Sequence, residues 1–343
     1  MTARTVDIRQ ARGRLDVEDG QTILGAALAA GISYPHGCKS GRCGSCKSRL
    51  IEGTVELLPH SRFALTDEEK ADGLILACRA LPLADAAVAW LGSDDDVEPS
   101  RHLQATVTGL DDLTHDIKRV RIVPADGSSL SFTAGQYAQL GFTGMPSRSY
   151  SMANRPGQSS LEFHIRRVPG GVTSEHVHSR LKPGDPVTLE CPLGSSYLRQ
   201  HHSNPILCIA GGSGLAPVNS IVETALAHGM KQPIHVYFGA RSERDLYLLD
   251  HLDALVRRHG NLTFTAVLSE AHSARYRHGF VTRAVAEDFS NLDGWKTYVA
   301  GPPPMVDAAM AVAFARGLRR EDMHADVFFT PETQTDAVLQ PVK

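Results

Sequence analysis

Residues Gly37–Ser48 read GCKSGRCGSCKS. Cys38, Cys43 and Cys46 stand there as C-x4-C-x2-C, and Cys78 follows well downstream in LILACRA, residues 74–80. That spacing is the one plant-type [2Fe–2S] centres use. Gly37, Gly41 and Gly44 let such a loop close around a cluster, with backbone N–H groups aimed at sulfur to stabilise the extra negative charge of the reduced state. Lys39, Arg42 and Lys47 add positive potential nearby. The competing assignment is a structural zinc site on four thiolates. Zinc sites pair their ligands at both ends in short hairpins, whereas Cys78 stands alone in what reads as a helix-to-strand segment, so iron–sulfur is favoured. Cys191 and Cys208 lack a local partner, and Cys208, inside the apolar run ILCIA, reads as a small core residue.

Outward from this loop, the composition bounds the rest. With 343 residues the chain is long enough for two or three domains. Lys and Arg total 35 against 38 Asp and Glu, a net charge of −3, which excludes a strongly basic nucleic-acid binder. No apolar run approaches the roughly 20 residues of a membrane helix. The start, MTARTVDIRQ, lacks the apolar stretch of a signal peptide, so the expectation is a cytoplasmic enzyme whose clustered cysteines do metal or redox work. SDDDVEPS at 93–100 is an acidic linker. A softer break falls at QHHSNP, 200–205. The expected pieces are 1–92, 101–203 and 204–330, with a loose polar tail over 331–343. The first has short β-type runs at Thr5–Ile8 and Arg14–Val17, a helix around Ile23–Leu28, and a capping box, Thr66 with Glu69, opening a second helix. The second has alternating runs at Gln104–Thr108, Val120–Val123, Tyr137–Leu140, Leu161–Arg167 and Pro186–Glu190, which predict a small antiparallel barrel. The third alternates strands (Ile206–Ala210, Ile234–Phe238, Thr263–Val267, Thr297–Ala300) with helices such as Pro217–His228, a doubly wound parallel pattern.

In the second piece, RSYSMAN spans Arg148–Asn154. A flavin needs a cation for its pyrophosphate, an aromatic face and a hydroxyl near its reactive nitrogen N5. Arg148, Tyr150 and Ser151, with Ser149 between them, supply those types. Downstream, HIRRVPGGVTSEHV carries His164 and Ile165 on a strand, then Gly170 and Gly171, then a helix opening at Val172, Thr173 and Ser174, whose free N–H groups suit the same pyrophosphate. Taken alone, RSYS reads as an ordinary surface strand; the order of motifs along the chain is what favours flavin. Arg166 and Arg167 offer further charge, although an exposed ion pair is the ordinary fate of such residues.

In the third piece, the strand PILCIA is followed by GGSGLAP, Gly211–Pro217. Gly212, Ser213, Gly214 and Pro217 form G-x-G-x-x-P, a variant of the Rossmann turn in which glycines bring backbone close to a pyrophosphate at a helix start. The next strand ends in YFGAR. No acidic residue closes it to grip a ribose 2′-hydroxyl, and Arg241 could accept a 2′-phosphate, so NADH and NADPH both remain open. The fourth strand ends in AGPPPM, where Gly301, Pro302 and Met305 would let the nicotinamide approach. Glu175-His176-Val177-His178 and His201–His202 lack a third ligand at workable spacing and read as surface residues.

With these motifs assembled, the chain resembles the reductase components of aromatic-ring-hydroxylating dioxygenases, such as the naphthalene and terephthalate dioxygenase reductases. The segments THDIKRVRI, EFHIRRVPGG, PLGSSYLRQ and GGSGLAPV carry the likeness over nearly all of residues 1–330. It implies a β-grasp [2Fe–2S] ferredoxin domain, an antiparallel β-barrel FAD domain and a doubly wound nucleotide domain of the ferredoxin–NADP reductase type. It implies FAD at Arg148, Tyr150, Ser151 and Gly171–Ser174, and nicotinamide nucleotide at Gly212–Pro217 and Gly301–Met305. MHADVF resembles the family's His-x-acid-x-Phe ending, which would set Phe328 over the flavin face with Asp326 close by. Two departures stand out. Ala300 replaces a common cysteine, so no catalytic thiol is present, and Asp326 stands where glutamate is common, with a shorter reach.

The expected activity is oxidation of NADH or NADPH, with Ser151, Asp326 and Phe328 at the point of hydride transfer and electrons leaving singly through the cluster. A flavin is needed between the two because nicotinamide gives up an electron pair and a [2Fe–2S] centre takes one. The partner would be a terminal oxygenase or a ferredoxin. The alternatives are a reductase serving a di-iron monooxygenase or a deoxysugar dehydratase, and a non-enzymatic redox sensor.

Overall fold

The computed structural model describes residues 3–11, 13–91 and 98–330. Most of the expected linker and all of the expected tail lie outside them. The described residues up to Pro99 form one compact unit, and Ser100–Thr330 form another.

In the first unit, β1 (Arg4–Ile8) and β2 (Gly13–Val17) make a hairpin, followed by α1 (Ile23–Ala29). Then come β3 (Lys47–Glu52), β4 (Val55–Leu57), α2 (Asp67–Ala71), β5 (Leu74–Leu76), β6 (Ala80–Pro82) and β7 (Ala86–Trp90). The main sheet runs β2-β1-β7-β3-β5, with β1 and β7 parallel at its centre. α1 starts where Thr22 caps the N–H of Gly25, and it buries Ile23, Leu24, Ala26 and Ala27. The capping box of α2 forms as expected: Glu69 N donates to Thr66 Oγ1, and Thr66 N donates to Glu69 Oε2. One local expectation is corrected. Cys78 lies between two short strands, β5 and β6, and not between a helix and a strand, because α2 already ends at Ala71.

The second unit begins with β8 (Arg101–Asp112), β9 (Ile117–Pro124), β10 (Tyr137–Phe142), β11 (Arg148–Ser151), β12 (Leu161–Arg166), α3 (Val172–Ser179) and β13 (Pro186–Leu193). The sheet order is β11-β10-β13-β8-β9-β12, every pairing antiparallel. A bridge between Met152 and Phe163 joins the two edges, so the sheet curls into a barrel. Its interior is filled by side chains such as Val120, Ile122, Leu140, Met152, Phe163 and Ile165, all fully buried.

The chain continues with β14 (Ile206–Gly211), α4 (Leu215–Ala227), β15 (Ile234–Ala240), α5 (Leu249–Arg258), β16 (Leu262–Leu268), β17 (Arg277–His278), α6 (Val281–Asp288), β18 (Lys296–Gly301), α7 (Pro303–Ala315) and β19 (Met323–Val327). The parallel sheet runs β17-β16-β15-β14-β18-β19. Every residue of β14 is buried, which is why it reads as an unbroken apolar run: helices cover both faces of a parallel sheet. Cys208 is part of this core. Chain order reverses between β14 and β18, and ligands of such sheets bind outside the strand ends at that switch point. Among the described residues, no helix is long and apolar enough to cross a membrane.

Candidate functional site

The cysteine loop is built to hold sulfur. Cys38 N donates to Cys43 Sγ at 3.3 Å, Arg42 N to Cys38 Sγ at 3.2 Å, and Cys78 N to Cys46 Sγ at 3.4 Å. All six cysteines are free thiols. Gly41 and Gly44 take the left-handed conformation, with φ of 73° and 72°. At Gly41 a Cβ would also lie 2.9 Å from His60 Cβ, so only glycine fits that turn. The Cys38 thiol is drawn below its ordinary pKa, first by its hydrogen bond with Cys43, against burial, and then by the N–H groups of Ser40 and Arg42. Burial and the neighbouring thiols push Cys43 and Cys46 the other way, so what suits a cluster here is the four sulfurs gathered with backbone N–H groups aimed at them. Cys46 and Cys78 are buried while Cys38 and Cys43 are partly exposed, so one edge of the site reaches the surface.

Two braces were invisible in the sequence. Tyr34, buried before the loop, shares a 2.5 Å hydrogen bond with Ser48 just after it and packs edge-on against Trp90. Ala77 is held by two backbone bonds, Leu24 N to Ala77 O and Ala77 N to Cys46 O, which fix the approach of Cys78.

On the barrel, Arg148 and Ser149 are exposed on the edge strand β11, Tyr150 is partly buried and Ser151 is buried. Thr173 Oγ1 donates to Pro146 O at 2.8 Å, which ties the first turn of α3 to the entry of β11. Ser174 Oγ donates to Gly171 O at 3.0 Å. The two hydroxyls therefore serve the backbone, and the first-turn N–H groups of Val172, Thr173 and Ser174 remain as the anion donors of the helix start. This pairing of an exposed arginine with a helix start fits a pyrophosphate. Arg167 forms an exposed ion pair with Glu175 at 2.7 Å, the ordinary fate expected for one of the two arginines.

The His164 side chain turns toward the parallel sheet. Its Nε2 lies 3.0 Å from Glu162 Oε1, and its Nδ1 lies 3.3 Å from the hydroxyl of Tyr247. Tyr247 OH in turn donates to Gly212 O at 3.4 Å, so His164 supports the glycine turn from behind. Burial pushes His164 below its usual pKa, against the raising effect of the adjacent Glu162 carboxylate. Ile165, its neighbour on β12, belongs to the barrel core.

At the switch point, Gly212 has φ 55°, and a Cβ there would face only Arg166 Nη1 at 3.5 Å, leaving an open cradle. Gly214 is required for another reason. Its Cβ would sit 2.0 Å from Ala300 O, so it lets the start of α4 lie against the end of β18. Ser213 lies between them in the short turn that precedes α4, and Pro217 lies in the first turn of α4. Pro302 caps α7 and Met305 covers Gly211, whose Cβ would meet Met305 Sδ at 2.5 Å. The starts of α4 and α7 thus open side by side.

The last strand completes the site. β19 pairs in parallel with β18, setting Asp326 beside Ala300, and Phe328 N donates to Gly301 O at 2.8 Å. Ser151 Oγ donates to Asp326 Oδ2 at 2.7 Å, across 175 residues of chain. The shorter side chain of aspartate therefore does reach the serine. Burial raises the Asp326 carboxyl to about 6, against the lowering effect of Ser151. Sequence reasoning also missed the polar pins that hold α4 to the residues after β11: Asn219 Nδ2 donates to Ala153 O, and Ser220 Oγ to Asn154 O. Arg241, at the end of β15, is turned onto Asp116 and Asp245.

Comparison with known proteins agrees with this layout. Residues 6–83 match the 2Fe-2S iron-sulfur cluster binding domain, 104–197 the oxidoreductase FAD-binding domain, and 208–311 the oxidoreductase NAD-binding domain. The chain is 40% identical over 317 residues to the reductase component of the naphthalene 1,2-dioxygenase/salicylate 5-hydroxylase systems of Ralstonia sp, covering 92% of this chain and 95% of that one. It is 34% identical to the propane 2-monooxygenase reductase component of Mycolicibacterium goodii, covering 92% and 94%. The crystal structure of an Amycolatopsis cytochrome P450 reductase superposes with a TM-score of 0.78 at 37% identity, covering 95% and 98%. With its three cofactor modules in this order, the chain belongs to the family of ferredoxin–NAD(P)(+) reductase components of oxygenase systems, which bind a [2Fe–2S] cluster, FAD and a nicotinamide nucleotide.

Proposed function

We propose that this protein oxidises a reduced nicotinamide nucleotide and delivers the electrons, one at a time, to the terminal dioxygenase or ferredoxin of an aromatic-ring-hydroxylating system. The observation that carries the proposal is the Ser151–Asp326 hydrogen bond, which joins the candidate flavin strand to the nucleotide sheet at one point. Bound FAD supplies the conversion of a hydride into single electrons that a [2Fe–2S] centre can accept. The residues around it bind and orient. Arg148 and the first-turn N–H groups of α3, after Gly170 and Gly171, take the pyrophosphate. Tyr150 offers its ring face, with Ser149 and the His164–Ile165 backbone along the same ligand. Ser151 would stand by the reactive nitrogen of a bound flavin, and Asp326 accepts the proton of its hydroxyl. Phe328 closes the entrance where nicotinamide comes in. Gly212–Pro217 and Gly301–Met305 seat the nucleotide, and Cys38, Cys43, Cys46 and Cys78 ligate the cluster.

The proposed domain limits are 1–92, 101–203 and 204–330, with a linker at 93–100 and a tail at 331–343, and a cytoplasmic setting keeps the thiols reduced. The named relatives serve a dioxygenase, a monooxygenase and a P450 system, so di-iron monooxygenase or dehydratase partners are separated by pull-down from the native host. The test is quantification of iron, sulfide and FAD on the purified chain, followed by anaerobic addition of NADH. Bleaching of both chromophores supports a reductase. A spectrum that holds both chromophores and stays unbleached under either nucleotide would favour a redox sensor.

A further inference from the structure

Beside the glycine cradle, the end of β15 gathers charged groups that the electron relay does not use. The second strand of a doubly wound nucleotide domain ends where the adenosine ribose lies. Three donors able to grip a phosphomonoester collect at this strand end: the Arg241 guanidinium, the Ser242 hydroxyl and the Ser242 N–H. All three point at one carboxylate. Arg241 Nη2 is 2.9 Å from Asp245 Oδ1, and Ser242 N and Oγ are each 2.9 Å from Asp245 Oδ2. Arg241 also lies 3.5 Å from Asp116 Oδ2, which accepts from Arg166 Nε at 2.9 Å. His115 Nε2 stands 3.8 Å from Asp245. His115, Asp116 and Asp245 have the ligand types of a cation site. Both carboxylates are already paired with guanidinium groups, however, so they form a neutralised cluster and not a metal site.

We infer that Asp245, backed by Asp116, is the specificity-determining residue of the adenosine end: its carboxylate occupies the donors that a 2′-phosphate would need, so the site takes NADH and disfavours NADPH. The inference rests on Gly212–Pro217 being the pyrophosphate turn. A 2′-phosphate carries roughly −1.5 to −2 charges at neutral pH and would meet two carboxylates. To bind it, Arg241 would have to abandon both, and their side chains are only 9% and 17% exposed. Asp116 would keep Arg166, but Asp245 would lose its guanidinium partner at that depth, which is costly, whereas a ribose hydroxyl displaces nothing. Burial pushes the Asp245 carboxyl up, but Ser242 and Arg241 outweigh it and hold it below the usual carboxylate range.

The test is calorimetric titration of the purified holoprotein with NAD+ and NADP+, and with 5′-AMP and adenosine 2′,5′-bisphosphate, which report the adenosine end alone. Asp245→Asn keeps an oxygen for Ser242 while removing the charge, and Asp116→Asn is a second variant outside that cap. The wild type is expected to bind NAD+ at least about tenfold more tightly than NADP+, and each variant to narrow that ratio about fivefold or more by tightening NADP+. Equal or reversed wild-type affinities overturn the inference, as do two folded variants that keep the wild-type ratio. Failure of every nucleotide to bind overturns the pyrophosphate turn as well, so the two failures are distinct.

Discussion

Ser151 ends the barrel edge strand β11 and Asp326 lies on the last strand, β19, and they meet through one hydrogen bond. With the Asp326 carboxyl raised to about 6 by burial, its ionised form, the one that accepts from Ser151, dominates only above that pH. NADH-to-dye turnover should therefore fall as pH drops through about 6, and Asp326→Asn should lose that inflection in a steady-state pH profile. An unchanged inflection in the variant would remove Asp326 from the step. Arg148 is exposed beside the start of α3 and makes its bond of 2.9 Å to Ser147 O, so little of the fold depends on its charge. Arg148→Ala should weaken FAD retention about tenfold or more through loss of a charge-assisted contact. A variant that keeps stoichiometric FAD through gel filtration contradicts the assignment.

At the scale of elements, the glycine turn separates two demands that a motif merges. Gly212 needs its left-handed φ, while Gly214, at φ −62°, needs only the absent side chain that would strike Ala300 O. Alanine at Gly212 should cost about 1–2 kcal/mol of backbone strain. At Gly214 it must push two elements apart, and a cost at or above about 3 kcal/mol is expected. Thermal unfolding of the two variants checks the order, and a larger loss at Gly212 would contradict it. The strand–turn–helix around these glycines was legible because β14 is buried on both faces and its pattern is local. β19 was not read as a strand: it is five residues long and half-buried throughout, and only its pairing with β18 makes it part of the sheet. The setting of Cys78 was misread for a similar reason, since three-residue strands such as β5 and β6 carry too little periodicity to be distinguished from a helix end.

Across the whole molecule, the cofactor order was legible because the cysteine loop and the glycine turn are short local motifs, and the flavin strand RSYS, ambiguous alone, lies between them. What stayed hidden is long-range pairing: Asn219 and Ser220 pin α4 to the chain after β11, and Asp116 meets Arg241 across 125 residues. Such contacts leave no local pattern, yet they set where the flavin strand and the nucleotide turn stand. Electrons from the nicotinamide nucleotide would enter at the FAD site and leave through a cluster held by Cys38, Cys43, Cys46 and Cys78. The most direct test is Cys43→Ser, assayed with NADH and either a small dye or a one-electron protein acceptor such as cytochrome c. Loss of cluster absorption and of protein reduction is expected, with dye reduction retained within about twofold, about 0.4 kcal/mol in barrier height. Loss of dye reduction together with the cluster, in protein that still holds its FAD, would contradict that route.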